Sequence, residues 1–434
     1  MKRVLILTYY WPPAGGAGVQ RWLKFSKYLR QYGWDPVIYT SEDGEYPALD
    51  PTLNKDVPQG ITVLKTKPWE PYGFYKKLIG GKKGEKVAAG FISEDKKPGL
   101  VQRLAIWIRG NLFIPDARKF WIRPSVNYLA GWLKNNRVDA IISTGPPHTM
   151  HCIALRLKKK FKLPWIADFR DPWTKIDFYD QLMLSQQADA KHKRMERAVI
   201  KNCDKLVTVS PSWANDFLEL GAREVEVITN GFDEADFDIE KPEVIREFAF
   251  HHIGALNQDR NPHNFWLALK EALMEEPEIA QFLKVRLIGK TDFSALESAR
   301  KAGLEKYLEK VPYMPHGEII TFLMRSPILL LPLNDTPNTL GIIPGKLFEY
   351  LAAGRPIFCI GHPKGDSARI IQDCEAGMVF GFHEKDKMKE GILALFREFR
   401  SGNFQVKGKE IMNYSRQKGA EKFASLLNHL TYSG

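Results

Sequence analysis

Residues 4–33 read VLILTYYWPPAGGAGVQRWLKFSKYLRQYG, and this stretch decides the fold class. Val4–Thr8 is a short, continuous apolar run with no polar alternation, as for a strand covered on both faces. The loop that follows is Pro12-Pro13-Ala14-Gly15-Gly16-Ala17-Gly18. Val19, Trp22, Leu23, Ser26 and Leu29 then fall on one face of a helix, which stops at Gly33, a left-handed cap position. Strand, glycine loop and amphipathic helix make the opening unit of a parallel α/β sheet.

The same rhythm continues outward. Strands are predicted at Val37–Thr40, Ile61–Lys65, Ala140–Thr144, Trp165–Asp168, Leu206–Ser210 and Val225–Thr229. The pattern then restarts at Phe248–Ala255, Val285–Gly289, Lys310–Tyr313, Ile328–Leu333, Pro356–Ile360 and Gly377–Phe380. The polar stretch Asn230–Pro242 separates the two sets. With 434 residues, two domains are the default. We place them at 1–235 and 236–415, with an amphipathic helix in 416–434 (Ala420–Leu430) packing back on the body. An insertion at 67–135 breaks the first rhythm. It carries Lys76, Lys77, Lys82, Lys83 and Lys86 around Gly80-Gly81, then a segment rich in Trp, Phe, Ile and Arg up to Trp132.

Composition narrows the function classes. The four cysteines form no CxxC pair and have no histidine at ligand spacing, which argues against a zinc site or a disulfide framework and fits a reducing compartment. The apolar run at the N-terminus breaks at Tyr9-Tyr10-Trp11-Pro12-Pro13, too soon for a signal peptide. No run approaches the roughly 20 apolar residues of a spanning helix. Residues 1–230 carry 37 Lys+Arg against 23 Asp+Glu, whereas 231–434 carry 26 against 28. Ten of the eleven tryptophans also precede residue 231. The halves are therefore built for different partners.

Five loops carry candidate chemistry. The first glycine loop lets backbone N–H groups approach an anion at a helix N-terminus, or is a plain strand-to-helix turn. It is not the dinucleotide fingerprint, because Arg21 stands where a third glycine would be needed. Ser143-Thr144-Gly145-Pro146-Pro147-His148-Thr149-Met150-His151 follows a strand and opens a helix. There His148 or His151 donates to a sugar hydroxyl or a phosphate, or merely caps the helix. Asp168-Phe169-Arg170-Asp171-Pro172-Trp173 also lies past a strand. A carboxylate in it accepts a proton from an attacking hydroxyl, or an internal Asp–Arg ion pair fixes the loop. Arg260, in Gly254–Pro262, is placed to meet a diphosphate in bidentate fashion. In Gly341–Pro356 a proline begins a helix, and Lys346 and Glu349 share one face one turn apart. Lysine near a helix N-terminus suits phosphate, and a carboxylate suits the paired hydroxyls of a ribose. The rival reading is an i,i+3 salt bridge on a solvated face, disfavoured by Leu347, Phe348, Tyr350 and Leu351 around it.

Taken in order, PAGGAGVQRWLKFSKYLRQYGW, STGPPHTMH, ADFRDPW, VITNGFD, HIGALNQDRNP and GIIPGKLFEYLAAGRPI span residues 12–356. This ordered set resembles the retaining GT-B glycosyltransferases of family 4. The resemblance implies an α/β protein of two Rossmann-like, doubly wound parallel-sheet domains facing across a cleft. It implies that Gly15 and Gly16 approach the donor diphosphate, that Arg260 and Lys346 neutralise it, and that Glu349 binds the ribose. It implies a donor site in the second half, an acceptor site in the first, and no metal or other cofactor. The family often has two glutamates seven residues apart, and counting back from Glu349 reaches Gly341. The sugar is then expected on backbone N–H groups of Gly341, Ile342 and Ile343, with help from Asn338.

The expected activity is transfer of a sugar from a UDP- or GDP-sugar to a hydroxyl of a glycan or lipid-linked acceptor in cell-surface polysaccharide synthesis. His148 contacts the sugar or phosphate near the reacting centre, Asp171 orients the acceptor, and the 230–242 linker serves as hinge for closure. The basic, Trp-rich insertion predicts contact with an anionic membrane surface, so the protein is expected in the cytoplasm, peripheral on the inner face of the membrane. A sugar-nucleotide epimerase of the same architecture is the rival within enzymes. A basic polyanion-binding protein is the rival outside them. Nucleic acid is not an expected partner, because no RNP, KH or helix-turn-helix signature is present.

Overall fold

The computed structural model describes residues 1–46, 48–70, 100–240, 242–312, 314–402 and 406–432. The chain divides into two compact units: unit 1 is Met1–Asn230 with Arg416–Gly434, and unit 2 is Gly231–Ser415. Lys76, Lys77, Lys82, Lys83 and Lys86 lie outside the described residues.

Unit 1 holds seven strands: β1 (Lys2–Leu7), β2 (Trp34–Ser41), β3 (Thr62–Thr66), β4 (Ala140–Gly145), β5 (Trp165–Phe169), β6 (Lys205–Thr208) and β7 (Val225–Val227). All pair parallel, in the order β3-β2-β1-β4-β5-β6-β7. Its helices are α1 (Ala17–Leu29), α2 (Leu100–Leu112), α3 (Ile122–Leu133), α4 (Thr149–Phe161), α5 (Gln186–Asn202) and α6 (Pro211–Glu219). Helix α1 ends four residues before Gly33; a 3-10 turn over Arg30–Tyr32 bridges the gap, and Gly33 takes the left-handed conformation with φ 84°.

Unit 2 holds β8 (Phe248–Ile253), β9 (Leu283–Ile288), β10 (Leu308–Val311), β11 (Ile328–Pro332), β12 (Ile357–Ile360) and β13 (Gly377–Phe380). These strands are also parallel, in the order β10-β9-β8-β11-β12-β13. Its helices are α7 (His263–Glu275), α8 (Phe293–Lys301), α9 (His316–Arg325), α10 (Lys346–Ala353), α11 (Asp366–Asp373) and α12 (Lys385–Ser401). Along β11, Ile328 and Leu330 join the core with Phe265 and Trp266, while Leu329 and Leu331 join the one with Phe348 and Tyr350. Both faces of the strand are covered, which is why it reads as an unbroken apolar run.

The last helix, α13 (Arg416–Tyr432), is longer than the expected Ala420–Leu430. Ala420, Phe423, Ala424 and Leu427 make one buried stripe, and Phe423 packs 4.9 Å from Trp22 and 5.3 Å from Phe25 of α1. The chain thus leaves unit 1, builds unit 2 and returns. Among the described residues no helix is long and apolar enough to cross a membrane.

Each core holds a neutral histidine. His151 is fully buried, bonded at Nδ1 to Ser143 Oγ (2.8 Å) and stacked 4.2 Å from Phe169. His251 is bonded at Nδ1 to Ser326 Oγ (2.8 Å) and stacked on Phe322. Burial pushes each imidazole down to about 3. Their folded values lie below the unfolded value, so the stabilisation is complete above about pH 6.5 and is lost as the pH falls toward 3. Each histidine is expected to remove about 1.4 kcal/mol per pH unit over that window, or about 2 kcal/mol by pH 5. Urea unfolding at pH 7 and pH 5 checks this, and an unchanged midpoint would refute it.

Candidate functional site

The strand order changes direction between β1 and β4 in unit 1 and between β8 and β11 in unit 2. Open α/β sheets bind ligands beyond the carboxyl ends of the strands at such switch points. Four of the five loops picked out above leave those strands: the glycine loop, Pro146–His148, Gly254–Arg260 and Leu333–Gly345. The fifth follows β5, next in the sheet.

In unit 1, Gly16 stands just before α1 with φ 91°, and a Cβ built there meets nothing within 4 Å. That open, strained position at a helix N-terminus suits an anion. Gly15 does not share it. Its N–H donates to Ala48 O (2.9 Å), and a Cβ there would come within 3.0 Å of Asp50 Cβ, so of the two expected glycines Gly16 is the open one.

His148 precedes α4, but its side chain makes no cap bond. Asp116 serves that end of the helix instead, accepting from Thr149 N and Thr149 Oγ1, both at 2.8 Å. The His148 ring stacks on Trp173 (4.7 Å, 2°), whose Nε1 donates to His192 Nδ1 (3.0 Å); His192 Nε2 then lies 3.4 Å from Gly110 O on α2. Of the two sequence candidates only His148 keeps any exposed surface, 7%, against 0% for His151. Ser143 Oγ accepts from Trp165 Nε1 and is bonded to His151 Nδ1. His148 Nδ1 and His151 Nε2 are buried without partners. Both face the Cα of Gly145, where a Cβ would come within 2.6 Å of His151 and 3.0 Å of His148. Only glycine fits between the two rings. Burial, then the neighbouring His151 and His192, hold His148 well below the ordinary imidazole range, so it acts as a neutral hydrogen-bonding group.

Of the two alternatives offered for Asp168–Asp171, the carboxylate of Asp168 does form an ion pair, but not within the loop. Asp168 pairs instead with Arg21 of α1, Nη2 to Oδ1 at 2.8 Å and Nε to Oδ2 at 3.0 Å, with both side chains fully buried. Trp22 Nε1 and Thr144 Oγ1 also donate to it, leaving no room to serve a substrate. Arg170, not singled out from sequence, donates to the carbonyls of Gly18 (2.9 Å), Gly145 (3.3 Å) and Pro146. It ties together the loops after β1, β4 and β5. Asp171 is partly exposed, and no hydrogen bond to its carboxylate is found among the described residues. Burial raises its pKa, as do Asp177 and Asp168, against the lowering effect of Arg170.

In unit 2, Arg260 ends a short 3-10 turn (Gln258–Arg260) and bonds Asn334 Oδ1 through Nε and Ala255 O through Nη1. It thereby spans the β8 and β11 loops. Lys346, the first residue of α10, turns back to Ile253 O (2.8 Å) and to His252 Nε2 (3.4 Å). Its Nζ would lie 3.4 Å from a Cβ at Gly254. Burial first, and the Arg260 charge second, drive the Lys346 ammonium well below its ordinary range, with Glu349 opposing. His252, quoted in the HIGALNQDRNP motif but given no role there, is kept neutral by burial and by Lys346. Glu349 is half-buried one turn along α10. Lys346 and Arg260 thus sit together on the two sides of the switch point. The loop before them differs from expectation. The N–H groups of Gly341 and Ile342 are taken by Asn338 O and Thr339 O in a 3-10 turn, both at 3.2 Å. Among the described residues only Ile343 of the three keeps an N–H without an acceptor.

Among the described residues no three His, Cys, Asp or Glu side chains could together hold a metal ion. The profile of Glycosyltransferase Family 4 matches residues 90–236. No curated protein sequence matches the chain. A glycosyltransferase from Rickettsia africae ESF-5 is similar in structure, with a TM-score of 0.63 at 13% identity over 99% of this chain and 98% of that one. TarM from S. aureus, in complex with Fondaparinux, alpha-GlcNAc-glycerol and UDP, gives 0.60 at 11% over 99% and 100%. WaaG, a glycosyltransferase involved in lipopolysaccharide biosynthesis, gives 0.57 at 13% over 98% and 99%. The fold is therefore two parallel-sheet α/β domains that match GT-B glycosyltransferase structures.

Proposed function

We propose that the chain is a retaining glycosyltransferase that moves a sugar from a nucleoside-diphosphate sugar to a hydroxyl of a glycan or lipid-linked acceptor. The observation that carries this reading is the pair of cations at the unit 2 switch point, Arg260 and Lys346, with Glu349 one turn further along α10. Two cations at a helix N-terminus suit a diphosphate, and a carboxylate behind them suits a ribose diol. The match of residues 90–236 to the family profile, and similarity to proteins that hold UDP or act in lipopolysaccharide biosynthesis, support the same reading.

In the reaction the bond from the anomeric carbon to the diphosphate oxygen breaks, and a new one forms to the acceptor oxygen, which gives up its proton. Lys346 and Arg260 stabilise the charge developing on the departing diphosphate. Within unit 1, Gly16 is the group suited to a phosphate, His148 is the group suited to a sugar or a phosphate, and Asp171 is the candidate for orienting the acceptor hydroxyl. The raised pKa of Asp171 brings it nearer the range useful for accepting a proton.

A thermal-shift panel of UDP-, GDP- and ADP-sugars tests the reading, because a ligand that binds the native state raises its melting temperature. No shift with any of them, and no heat on titration of UDP or GDP, would sink it. A further outcome follows from the Lys346 environment. A diphosphate restores the charged ammonium that burial and Arg260 disfavour, so binding takes up a proton above the lowered pKa. The binding enthalpy is then expected to change between two buffers of different ionisation enthalpy, and the affinity to fall as the pH is raised. Equal enthalpies in both buffers would remove Lys346 from the diphosphate site.

A further inference from the structure

Trp173 and Thr174, which follow β5, are both held by α5. His192 and Glu196 stand one turn apart on that helix, and both are buried. Glu196 accepts from Thr174 N at 3.2 Å and from Thr174 Oγ1 at 2.5 Å. His192 Nδ1 accepts from Trp173 Nε1 at 3.0 Å. Burial keeps His192 neutral. Since its Nδ1 is an acceptor, its one proton sits on Nε2, turned toward Gly110 O at 3.4 Å. The Glu196 bonds already secure the chain after β5. The His192 bond does something else: it fixes the rotation of the Trp173 indole, and the face of that indole is the platform for His148.

The His148 ring lies flat on that platform, 4.7 Å away and tilted by 2°. Burial, then His151, His192 and Arg170, keep it neutral, so it too has one proton to place. Its Nδ1 is enclosed, has no partner among the described residues, and faces the Cα of Gly145. A lone pair tolerates a C–H neighbour, whereas a buried N–H without an acceptor forfeits its desolvation. The proton therefore belongs on Nε2, the nitrogen that is not enclosed, at the 7% of the residue that stays exposed. Trp173 and His192 are each 3% exposed and reach no ligand themselves. Whatever they do for the site, they do through His148.

We propose that His192, acting through Trp173, is a positioning residue that holds His148 as a hydrogen-bond donor through Nε2. A ring held this way gives its hydrogen bond to a lone pair and takes no proton from a hydroxyl. Moving the proton to Nδ1 would leave it facing the Cα of Gly145, where no acceptor stands. The proposal rests on the transferase reading and deepens it in one respect. The ligand atom opposite His148 is an oxygen that accepts a hydrogen bond, and the proton released by the attacking hydroxyl does not go to His148.

Long-range nitrogen–proton NMR correlations of the imidazole rings read the tautomer directly in the full chain, and His148→Gln identifies the His148 signal. At neutral pH the wild type is expected to hold the Nε2–H form over the Nδ1–H form by about tenfold or more, the preference that an unsatisfied buried N–H imposes. His192→Leu removes the acceptor of Trp173 Nε1 and is expected to populate both forms. His192→Asn keeps an acceptor oxygen at that place and is expected to restore the single form. Trp173→Phe keeps a ring on His148 without the anchored N–H, and is expected to resemble His192→Leu; it carries the test if His192→Leu melts as an unfolded protein. Three outcomes would overturn the inference: a wild-type His148 in the Nδ1–H form or an even mixture, a His148 signal unchanged in His192→Leu and Trp173→Phe, and a His192→Asn protein disturbed as much as His192→Leu. Titration of the wild type with UDP and GDP is read separately. A single Nε2–H form without nucleotide binding removes the transferase reading alone, and nucleotide binding with an Nδ1–H form removes the positioning role alone.

Discussion

Asp168→Ala lowers the stability of unit 1 by about 3–5 kcal/mol, the usual cost of removing one partner of a buried ion pair, and its melting temperature by on the order of 10 °C. The size follows from what is left behind. Arg21 is fully buried, and its guanidinium has Asp168 as its counter-ion. Its other bonds go to Ile228 O, Thr229 O and Asn230 Oδ1, which solvate a cation but do not neutralise it. Burial alone would raise the Asp168 pKa; the Arg21 charge and the donors Arg21, Trp22 and Thr144 outweigh it, and the carboxylate stays below its ordinary range. The pair joins α1, β4, β5 and the end of the sheet at Ile228–Asn230. Its loss loosens the elements that carry Gly16 and His148 together. Arg21→Met/Asp168→Leu removes both charges and is expected to recover part of the stability. Urea and thermal unfolding of the three proteins measure this. An Asp168→Ala protein that melts like the wild type but has no activity would return Asp168 to a catalytic role.

That keystone was invisible in the sequence for a plain reason: Arg21 and Asp168 are 147 residues apart, and each has a nearer charged neighbour. Asp168 reads most simply with Arg170, two residues on. The structure separates them because Arg170 is drawn to the carbonyls of Gly18, in the first turn of α1, and of Gly145 and Pro146 after β4. The central strands were legible because both faces are covered, and coverage writes an unbroken apolar run; the edge strands β3, β7 and β10 are only half-buried and followed from the rhythm of the chain. Helices α2 and α3 were not legible, and 67–135 read only as an aromatic, basic insertion. Helix α2 has a contrast between its faces, but Leu104, Trp107 and Leu112 of its apolar arc are exposed, so the pattern does not say which side is buried.

The site was legible where chemistry and position coincide within one element. Lys346 and Glu349 share a helix turn, so their spacing could be read directly. The rival reading, a surface salt bridge between them, fails on direction: the Lys346 ammonium goes to Ile253 O across the sheet edge. Backbone donors were harder. Nothing in the residues Gly341 and Ile342 says that their N–H groups close a 3-10 turn on Asn338 and Thr339. The loop expected to meet the sugar therefore has fewer free backbone donors than the motif suggested.

Lys346→Met separates function from stability most sharply, because its two effects have opposite signs. The ammonium is disfavoured by burial and by Arg260, and its nearest groups are a single carbonyl and a neutral histidine. Replacing it by a methylene chain of similar volume removes that cost. The melting temperature is expected to hold or to rise by the equivalent of about 1 kcal/mol. The same change deletes a charge-assisted bond to the diphosphate, worth about 2–3 kcal/mol, so the affinity for UDP or GDP is expected to fall about 100-fold. Lys346→Arg keeps the charge but widens the head group. The space in front of Gly254, where Nζ would lie 3.4 Å from any Cβ, is narrow for a planar guanidinium. It is expected to restore less than a tenth of the lost affinity. Glu349→Gln provides the contrast, since it keeps Lys346 and Arg260 and weakens the carboxylate bonds to a ribose diol, while removing the charge that opposes the lowering of the Lys346 pKa. Calorimetric titration and thermal melting of these variants decide the matter. A Lys346→Met protein that is less stable yet binds as tightly as the wild type would make Lys346 a structural strut. Affinity lost without loss of stability identifies a cation that the fold tolerates for its ligand.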